Sequence, residues 1–381
     1  MLGFVLAGGA ARGAYQAGVL RFLFDELGPR LDHMPWPEVV SGTSVGALNA
    51  SFVAAGDVRA IGRLSELWRK LTIDQVFRVT GSNVVRVLRS LVQPVPGVAL
   101  LDPSPLYGTV AREHPLGAVR RRIDSGELRA FIVSATRLET GHNELFLDTG
   151  AQVDLKPTAN ARVRRVRMGP SHLLASSALP LLFPPVKVGD RTYVDGGLRA
   201  NTPLRPVIRC GADRNVILGV QAKATKPMAG ITPTLPFLAG KTLNALMLDP
   251  VARDLSESDL INRIAIWGRE RYGEEFVEHL EREVGVRPVA NLFLRPSQDL
   301  GRMAARSYID RPPKTDASVR RLLDFLVDKP NLEEGESDML SYVYFDRGFT
   351  EQAEQLGFED ARDQQEQIAA FLEPVSELTT E

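Results

Sequence analysis

Apolar residues in the first half of the chain come in short runs that end at glycine, which is typical of buried strands in an α/β fold. The first run covers residues 3–7, and an alanine-rich helical stretch over 14–27 follows it and ends at a Gly-Pro pair. The unit then repeats, with a strand at 38–40 that leads into a turn at Ser44 and a helix beyond it. Further apolar runs predict strands at 130–134, 215–220 and 289–294. The pattern predicts a three-layer α/β/α sandwich with a mainly parallel central sheet.

The second half of the chain has a different pattern. It is mainly helical, and from Glu333 onward acidic residues strongly outnumber arginines. We expect one domain at 1–225 and a mainly helical C-terminal extension at 226–381, which packs on that domain and returns one strand near 289–294. The acidic composition favours a surface layer of helices rather than a part of the molecule that carries chemistry.

A basic amphipathic stretch interrupts the α/β pattern between the predicted strands at 38–40 and 130–134. Apolar residues recur there at helical spacing, with Arg86 and Arg89 on the other side. Such a helix either packs against the sheet, which is the commoner case, or lies on a membrane surface. Its apolar positions are Val84, Val85, Val87, Leu88, Leu91 and Val92. A second basic cluster, which is either a solvated face or a contact for anionic headgroups, comprises Arg162, Arg164, Arg165 and Arg167.

Composition narrows the class of protein. The 381 residues are 44% hydrophobic and 24% charged, which fits a globular protein, and the net charge of −1 argues against nucleic acid as a partner. The single cysteine, Cys210, excludes a disulfide framework, and the five histidines lack the spacing of metal ligands. The apolar N-terminus has no positive segment before it, and no run of 18 apolar residues occurs. We therefore expect a cytoplasmic protein, at most bound to a membrane surface, without a cofactor or metal.

The pentad Gly42-Thr43-Ser44-Val45-Gly46 places one hydroxyl between two glycines. In a sharp strand-to-helix turn, glycine tolerates the crowded backbone while the serine oxygen stays accessible, which is the arrangement of a nucleophile. The alternative is a plain loop that enters a helix. The predicted strand before Ser44 and helix after it favour the nucleophile.

The first glycine loop has the sequence Gly8-Gly9-Ala10-Ala11-Arg12. A dinucleotide-binding loop would need glycine where Ala10 stands, so that interpretation is disfavoured. Backbone N–H groups at the start of a helix point outward and favour negative charge, so the loop suits an oxyanion hole for acyl transfer. Arg12 would then neutralise the oxyanion or a substrate phosphate. The alternative is a helix-starting turn with a surface arginine.

A serine nucleophile needs a base, and the histidines are poor candidates. His279 lies among glutamates, His172 begins a predicted helix and suits capping or packing, and His33, His114 and His142 lie beside turn residues. None has a carboxylate pattern that would mark a triad.

Asp195 is the better candidate for the base. It follows a β-prone run and precedes Gly196 and Gly197, so its carboxylate can reach the crevice where α/β sheets form sites. As an alternative, Asp-Gly-Gly is a common turn. Aspartate is roughly 2.6 pKa units more acidic than histidine, a deficit of about 3.5 kcal/mol in proton affinity. We therefore expect burial to raise the pKa of Asp195.

These three motifs, in this order, resemble the patatin-like phospholipase family. The resemblance includes the stretch 175–185 and Asn201 and Pro203 after Asp195, and one departure is Ala10, where the family usually has a third glycine. It implies a patatin-like fold in which Ser44 is the nucleophile, Asp195 its base and the backbone of Gly8, Gly9, Ala10, Ala11 and Arg12 the oxyanion hole, with Gly42, Gly46, Gly196 and Gly197 supporting the motifs.

The implied activity is hydrolysis of phospholipids, lysophospholipids or other acyl esters through an acyl-Ser44 intermediate, without calcium. Two alternatives remain open. An acyltransferase would pass the acyl group to an alcohol or thiol, and a lipid-binding module would keep the fold without the reaction. A Ser-His-Asp hydrolase would need a well-placed histidine after Asp195, which the sequence lacks.

Overall fold

A computed structural model describes residues 1–90, 93, 99–153, 155, 157–158, 161–222, 233–327 and 337–373. Side chains at 81, 84, 87, 88, 90 and 246–252 lie outside that description. The described strands are β1 (Leu2–Leu6), β2 (Val39–Thr43), β3 (Ala130–Arg137), β4 (Asn143–Asp148), β5 (Ala161–Arg165), β6 (Val186–Val188), β7 (Arg191–Asp195), β8 (Arg214–Leu218) and β9 (Ala290–Leu294).

These strands form one sheet in the order β5-β4-β3-β2-β1-β8-β9, with β7 paired to β3 and β6 paired to β7. Neighbours along the main path are parallel except for the antiparallel pair of β3 and β4. The predicted strands at 3–7, 38–40, 130–134, 215–220 and 289–294 are confirmed, each within a few residues of its bounds.

Helices cover both faces of the sheet. The described α-helices are α1 (Ala14–Arg21), α2 (Val45–Ala54), α3 (Val58–Lys70), α4 (Gly81–Ser90), α5 (Ser104–Glu113), α6 (Leu116–Ser125), α7 (Pro170–Ser176), α8 (Leu204–Arg209), α9 (Leu235–Tyr272), α10 (Glu274–His279), α11 (Leu300–Asp310), α12 (Ala317–Leu326), α13 (Asp338–Val343), α14 (Arg347–Asp363) and α15 (Gln365–Leu372). The predicted helix at 14–27 is α1 followed by a π-helical segment, Phe22–Leu27.

The alternation of side chains along β1 shows the layers. Phe4 and Leu6 belong to one buried cluster, which includes residues of α1, α2 and α14, whereas Val5 belongs to a second cluster with residues of α8. Successive side chains of a strand point to opposite faces, so both faces of the central strand are buried. This confirms the α/β/α sandwich.

The expectation that the C-terminal helices form only a surface layer is wrong. Helix α14 packs so closely on α1 that a Cβ at Gly18 would lie 1.7 Å from the Glu354 carbonyl oxygen, and a Cβ at Gly357 would lie 2.0 Å from that of Tyr15. Glu354 is fully buried and its carboxylate accepts a 2.7 Å hydrogen bond from Arg21 Nε. Part of the extension is therefore core, because glycines at the crossing let the two helices approach.

The structure describes the two basic segments that the sequence indicates, helix α4 and the arginine cluster at 162–167, to different extents. Helix α4 confirms helical structure up to Ser90, while Leu91 and Val92 lie outside the described residues. Val85, Arg86 and Arg89 are exposed, and the other apolar positions of the stripe have no described side chains, so its packing stays a prediction. The arginine cluster lies on or after the edge strand β5.

Candidate active site

Ser44 occupies a strained turn between β2 and α2, with φ 56° and ψ −130°. Both flanking glycines are required by close backbone contacts: a Cβ at Gly42 would lie 2.4 Å from the Gly46 carbonyl oxygen, and one at Gly46 would lie 2.2 Å from that of Leu6. A non-glycine residue at positive φ is uncommon and marks strain that the surrounding structure must hold. The turn therefore has the geometry that the pentad predicts.

The hydroxyl of Ser44 donates a 2.5 Å hydrogen bond from Oγ to Oδ2 of Asp195. Asp195 is the last residue of β7, and its other oxygen, Oδ1, accepts a 2.7 Å bond from the Gly197 N–H. The register of β3 and β7 sets Asp195 opposite Ala135. A Cβ at Gly196 would lie 2.3 Å from the Ser134 carbonyl oxygen, so this turn also needs glycine beside the sheet.

Burial changes the acid–base properties of Asp195. The residue has no exposed surface, and burial raises its pKa to about 7, against the smaller lowering effects of the hydrogen bonds from Ser44 and Gly197. Histidine has an ordinary pKa of about 6.5, so the carboxylate is as basic here as the residue that usually serves serine nucleophiles. The expected rise in pKa is thus present.

A second chain of hydrogen bonds fixes the backbone of the nucleophile. The Ser44 N–H donates to Ser176 Oγ at 2.8 Å, and the Ser176 hydroxyl donates to the Ser134 carbonyl at 2.6 Å. Ser176 is at the end of α7 and fully buried. The Ser44 N–H is therefore occupied, so any donors to an oxyanion come from elsewhere.

The glycine loop lies against the nucleophile turn. A Cβ at Gly8 would come within 3.0 Å of Ser44 Cβ. Of the loop's N–H groups, that of Gly8 donates to the Asn201 carbonyl at 3.2 Å and that of Arg12 donates to the Gly9 carbonyl at 3.1 Å. The expectation that all five residues offer an N–H is therefore too broad, and within the described chain Gly9, Ala10 and Ala11 keep theirs unpaired.

Ala10 stands where the related family usually has glycine, and it adopts φ 48°. A left-handed conformation costs an alanine about 1–2 kcal/mol relative to its preferred backbone. The loop keeps this geometry despite the missing glycine, so other contacts must hold it.

The Arg12 side chain differs from both expectations for it. It is 3% exposed, so it is no surface arginine, and Nη2 donates to Asp338 Oδ1 at 2.7 Å while Nε donates to Ser341 Oγ at 2.8 Å. Its charge is therefore neutralised by an acid of α13 instead of an oxyanion or phosphate. Sequence reasoning missed Asp338 because it lies among many acidic residues, far along the chain.

A narrow apolar cavity of about 100 Å³ opens beside Ser44. Besides Ser44, the polar residues on its wall are Asn49, Thr109, His114 and Ser177. His114 Nδ1 lies 2.7 Å from Ser51 Oγ, and the sequence indicated only that this histidine lies beside turn residues. Burial lowers the pKa of His114 to about 4, so the imidazole is neutral near pH 7. The apolar and aromatic wall, which suits a hydrocarbon chain, includes Ala10, Val45, Leu48, Phe52, Leu64, Leu67, Trp68, Leu71, Val76, Leu106, Leu179, Phe183 and Phe345.

His172 has a structural position and His279 an exposed one. His172 Nδ1 accepts a 3.0 Å hydrogen bond from the Gly169 N–H at the start of α7, and its ring packs on Phe146, as the sequence suggested. His279 is exposed and its Nδ1 lies 2.6 Å from the Glu275 carbonyl oxygen. The described hydrogen bond of Ser44 Oγ is with Asp195, and no described histidine occupies that position.

The described residues hold neither a cluster of metal ligands nor a membrane-spanning helix. Across those ranges, His, Cys, Asp and Glu side chains do not gather in groups of three or more as metal ligands would. Among the described helices, none combines the length and apolar character needed to cross a bilayer.

Comparison with known proteins gives one family. The model of the family described as patatin-like phospholipase matches residues 4–208, more than half of the chain. A Caenorhabditis elegans protein named as patatin-like phospholipase domain-containing is 36% identical over 98 residues, which cover 26% of this chain and only 8% of that protein.

Solved structures also align with the chain at low identity. VipD from Legionella pneumophila aligns at 14% identity with a TM-score of 0.40, over 96% of this chain and 66% of that one. Human GIVD cytosolic phospholipase A2, solved with methyl gamma-linolenyl fluorophosphonate, aligns at 13% identity with a TM-score of 0.39, over 98% and 59%.

Proposed function

Because the chain belongs to the patatin-like phospholipase family, we propose that it is a lipid acyl hydrolase that cleaves acyl esters of phospholipids or lysophospholipids through a Ser44–Asp195 dyad. The observation that carries the proposal is the 2.5 Å hydrogen bond from Ser44 Oγ to a fully buried carboxylate whose pKa is about 7. A base with that pKa is half ionised at neutral pH and still takes up a proton readily.

In the first half of the reaction, Asp195 Oδ2 accepts the Ser44 proton while Oγ attacks the ester carbonyl carbon. The carbonyl oxygen of the tetrahedral intermediate becomes negative, and we assign its stabilisation to the N–H groups of Gly9, Ala10 and Ala11. When the C–O bond to the alcohol breaks, protonated Asp195 returns the proton to the leaving oxygen. The acyl group is then bound to Ser44.

In the second half, water attacks the acyl carbon and gives its proton to Asp195, and the acid leaves as Ser44 regains a proton. The apolar cavity beside Ser44 supports a hydrocarbon acyl chain as the group that is held. Its volume of about 100 Å³ is below the several hundred Å³ usual for ligand pockets, so a long chain requires the wall to move.

Contact with a lipid aggregate is part of the proposal. Leu181 is 85% exposed and has φ 69°, in a turn whose flanks, Leu179 and Phe183, line the cavity. Backbone N–H groups of Leu100 and Leu101 bond the carbonyls of Leu181 and Leu182, which fixes the turn. An exposed leucine held beside the cavity suits insertion among acyl chains at an interface.

A fluorophosphonate tests the dyad, because Ser44 Oγ would bond to phosphorus and displace fluoride. We expect labelling at Ser44, none in Ser44→Ala, and a rate at least roughly 10²-fold lower in Asp195→Asn, as on loss of a general base. Changing each histidine to Gln should leave the rate within a few-fold. A histidine variant that stays folded and matches the Ser44→Ala loss would contradict the assignment of Asp195.

Product analysis tests the reaction itself. Purified protein incubated with mixed phospholipids in excess EDTA should release free fatty acid and lysophospholipid, and the same products should dominate with an added acceptor alcohol. Acyl transfer to the alcohol as the main outcome would reassign the protein as an acyltransferase. Complete loss on chelation, restored by calcium, would contradict the metal-free mechanism.

A further inference from the structure

The loop with the three unpaired N–H groups is anchored at both ends. On its N-terminal side, the Gly8 N–H donates to the Asn201 carbonyl and Asn201 Nδ2 donates to the Gly8 carbonyl, each at 3.2 Å. On its C-terminal side, the anchor is the side chain of Arg12. Asn201 lies just after the predicted base, whereas the partners of Arg12 lie in α9 and α13, beyond the region that matches the family.

Each of the three guanidinium nitrogens of Arg12 has a hydrogen-bond partner. Besides the bonds to Asp338 and Ser341, Nη1 donates to Asn244 Oδ1 at 3.4 Å, and the guanidinium carbon lies 4.3 Å from the centre of the Tyr342 ring. The Tyr342 hydroxyl in turn donates to Asn244 Oδ1 at 2.6 Å. This set of contacts fixes the direction of the side chain as well as its charge.

The pair is ionised although it is buried. Burial alone would lower the pKa of Arg12 and raise that of Asp338, but the surrounding charges reverse both effects. The pKa of Asp338 is held below its usual value by Arg12 and by Lys241, whose Nζ lies 3.1 Å from Oδ2. A buried pair of this kind is costly to break, since one charge is left without a partner.

We propose that Asp338 is a positioning residue for the reaction: through Arg12 it holds Gly9, Ala10 and Ala11 in the conformation whose N–H groups bind the oxyanion. The reason is the backbone of Ala10, which has φ 48° without the glycine that adopts it freely. An alanine released from its anchors relaxes to negative φ, which turns the neighbouring N–H groups away. The clamp of Asp338 on Arg12 opposes that relaxation from two residues away.

The proposal rests on the acyl-serine reaction proposed above, and it predicts a particular kinetic signature. The loop N–H groups act mainly on the charge that develops in the transition state, so a loosened loop lowers kcat and leaves KM nearly unchanged. A smaller folded fraction would also lower the apparent kcat at unchanged KM, so the test needs a control variant with a comparable loss of stability and a rescue of the loop itself.

The test compares Asp338→Asn with Glu354→Gln on a soluble p-nitrophenyl ester. Glu354 is the matched control. It is also a buried acid of the C-terminal part that pairs with an arginine, but its partner is Arg21 of α1, away from the loop. We expect kcat to fall at least tenfold in Asp338→Asn, with KM within twofold, and to stay within twofold of wild type in Glu354→Gln. Thermal unfolding of both variants shows whether their losses of stability are comparable.

A rescue experiment separates positioning from structure. In the Asp338→Asn background, adding Ala10→Gly should raise kcat several-fold, because glycine populates positive φ without a clamp.

A second variant covers the case in which Asp338→Asn does not fold. Ser341→Ala keeps the ion pair, removes one bond to Arg12 and should lower kcat about threefold. Equal kcat in Asp338→Asn and Glu354→Gln, or no recovery with Ala10→Gly, would overturn the clamp. Full turnover in Ser44→Ala would instead reject the acyl-serine mechanism itself.

Discussion

The nucleophile turn around Ser44 and the glycine loop around Ala10 meet at one cavity, and each contains a residue at positive φ. The turn is held mainly by close main-chain packing, since Gly42 and Gly46 lie against carbonyl groups of their own turn and of β1, and the Ser176 hydroxyl accepts one bond from the Ser44 N–H. The loop is held by side chains, from Asn201 on one side and through Arg12 from α13 on the other. The conformation of Ser44 thus depends mostly on main-chain packing within the sheet and its turn, whereas that of Ala10 depends on a side-chain contact that joins residues 326 positions apart.

This difference determines what each region tolerates. A backbone contact has no rotamer that relieves a clash, so the turn allows almost no change at its glycines. A side-chain anchor can be weakened gradually, so the loop can lose geometry while the protein stays folded. We therefore expect substitutions of the glycines in the turn to affect folding, and substitutions around the loop to affect rate.

The largest expected effect comes from comparing Gly46→Ala with Gly9→Ala. The new Cβ at position 46 would lie 2.2 Å from the Leu6 carbonyl oxygen, which cannot move without displacing β1, so we expect no soluble folded protein. At position 9 the Cβ would lie 2.5 Å from Val220 Cγ2, a side-chain atom that can shift, so this variant should fold and lose activity. Expression and circular dichroism give the result.

The control for that pair is Gly62→Ala on the outer part of α3, where a Cβ meets nothing within 4 Å. Alanine in a helix should raise the free energy of unfolding by up to about 1 kcal/mol. Equal folding of Gly46→Ala and Gly9→Ala would remove the distinction between the two regions.

The pH dependence of kcat/KM should report the ionisation of Asp195, the partner of Ser44 in the turn, and should not depend on the loop. Asp195 must be deprotonated to accept the Ser44 proton, and its pKa is about 7. Well below that pH the active fraction falls tenfold per pH unit, and Asp195 is already only half ionised at pH 7, so activity on a soluble ester should drop roughly 50-fold from pH 7 to pH 5. Asp338→Asn should lower the plateau and keep the same midpoint. A flat profile from pH 5 to 8 in the wild type would contradict Asp195 as the base.

The smallest expected effect concerns Leu181, on the surface beside the cavity that the Ser44 turn and the Ala10 loop both line. Leu181→Asn replaces an 85% exposed leucine by a polar residue that accepts positive φ. Burying a leucine side chain is worth roughly 1.5–3 kcal/mol, so hydrolysis of phospholipid vesicles should fall about tenfold, while a soluble ester is cleaved as before. Leu138→Ser, at a leucine that is 52% exposed in the turn after β3, should change neither rate. An equal loss on both substrates would argue against an interfacial role.

The sequence predicts the Ser44 turn better than the anchoring of the Ala10 loop. The Ser44 turn and the glycines around it are encoded within five consecutive residues, and strand β1 and helix α1 by adjacent apolar runs, so local pattern was sufficient. Asp338 could not be found, because acids are common near it and its relation to Arg12 exists only after the chain folds. The sequence shows only that His114 lies beside turn residues, because its place on the cavity wall depends on how α2 and α5 pack.

The order of strands in the sheet has a practical consequence for work on isolated fragments. The family match ends at residue 208, but β8, which pairs with β1 on the side opposite β2, begins at Arg214. A fragment trimmed to the matched region would turn an interior strand into an open edge, a template for aggregation. It would also leave Arg12 without its carboxylate. Such a fragment would precipitate or show no hydrolase activity although every motif residue is intact. That inactivity would be mistaken for the property of a protein that had lost its catalytic function.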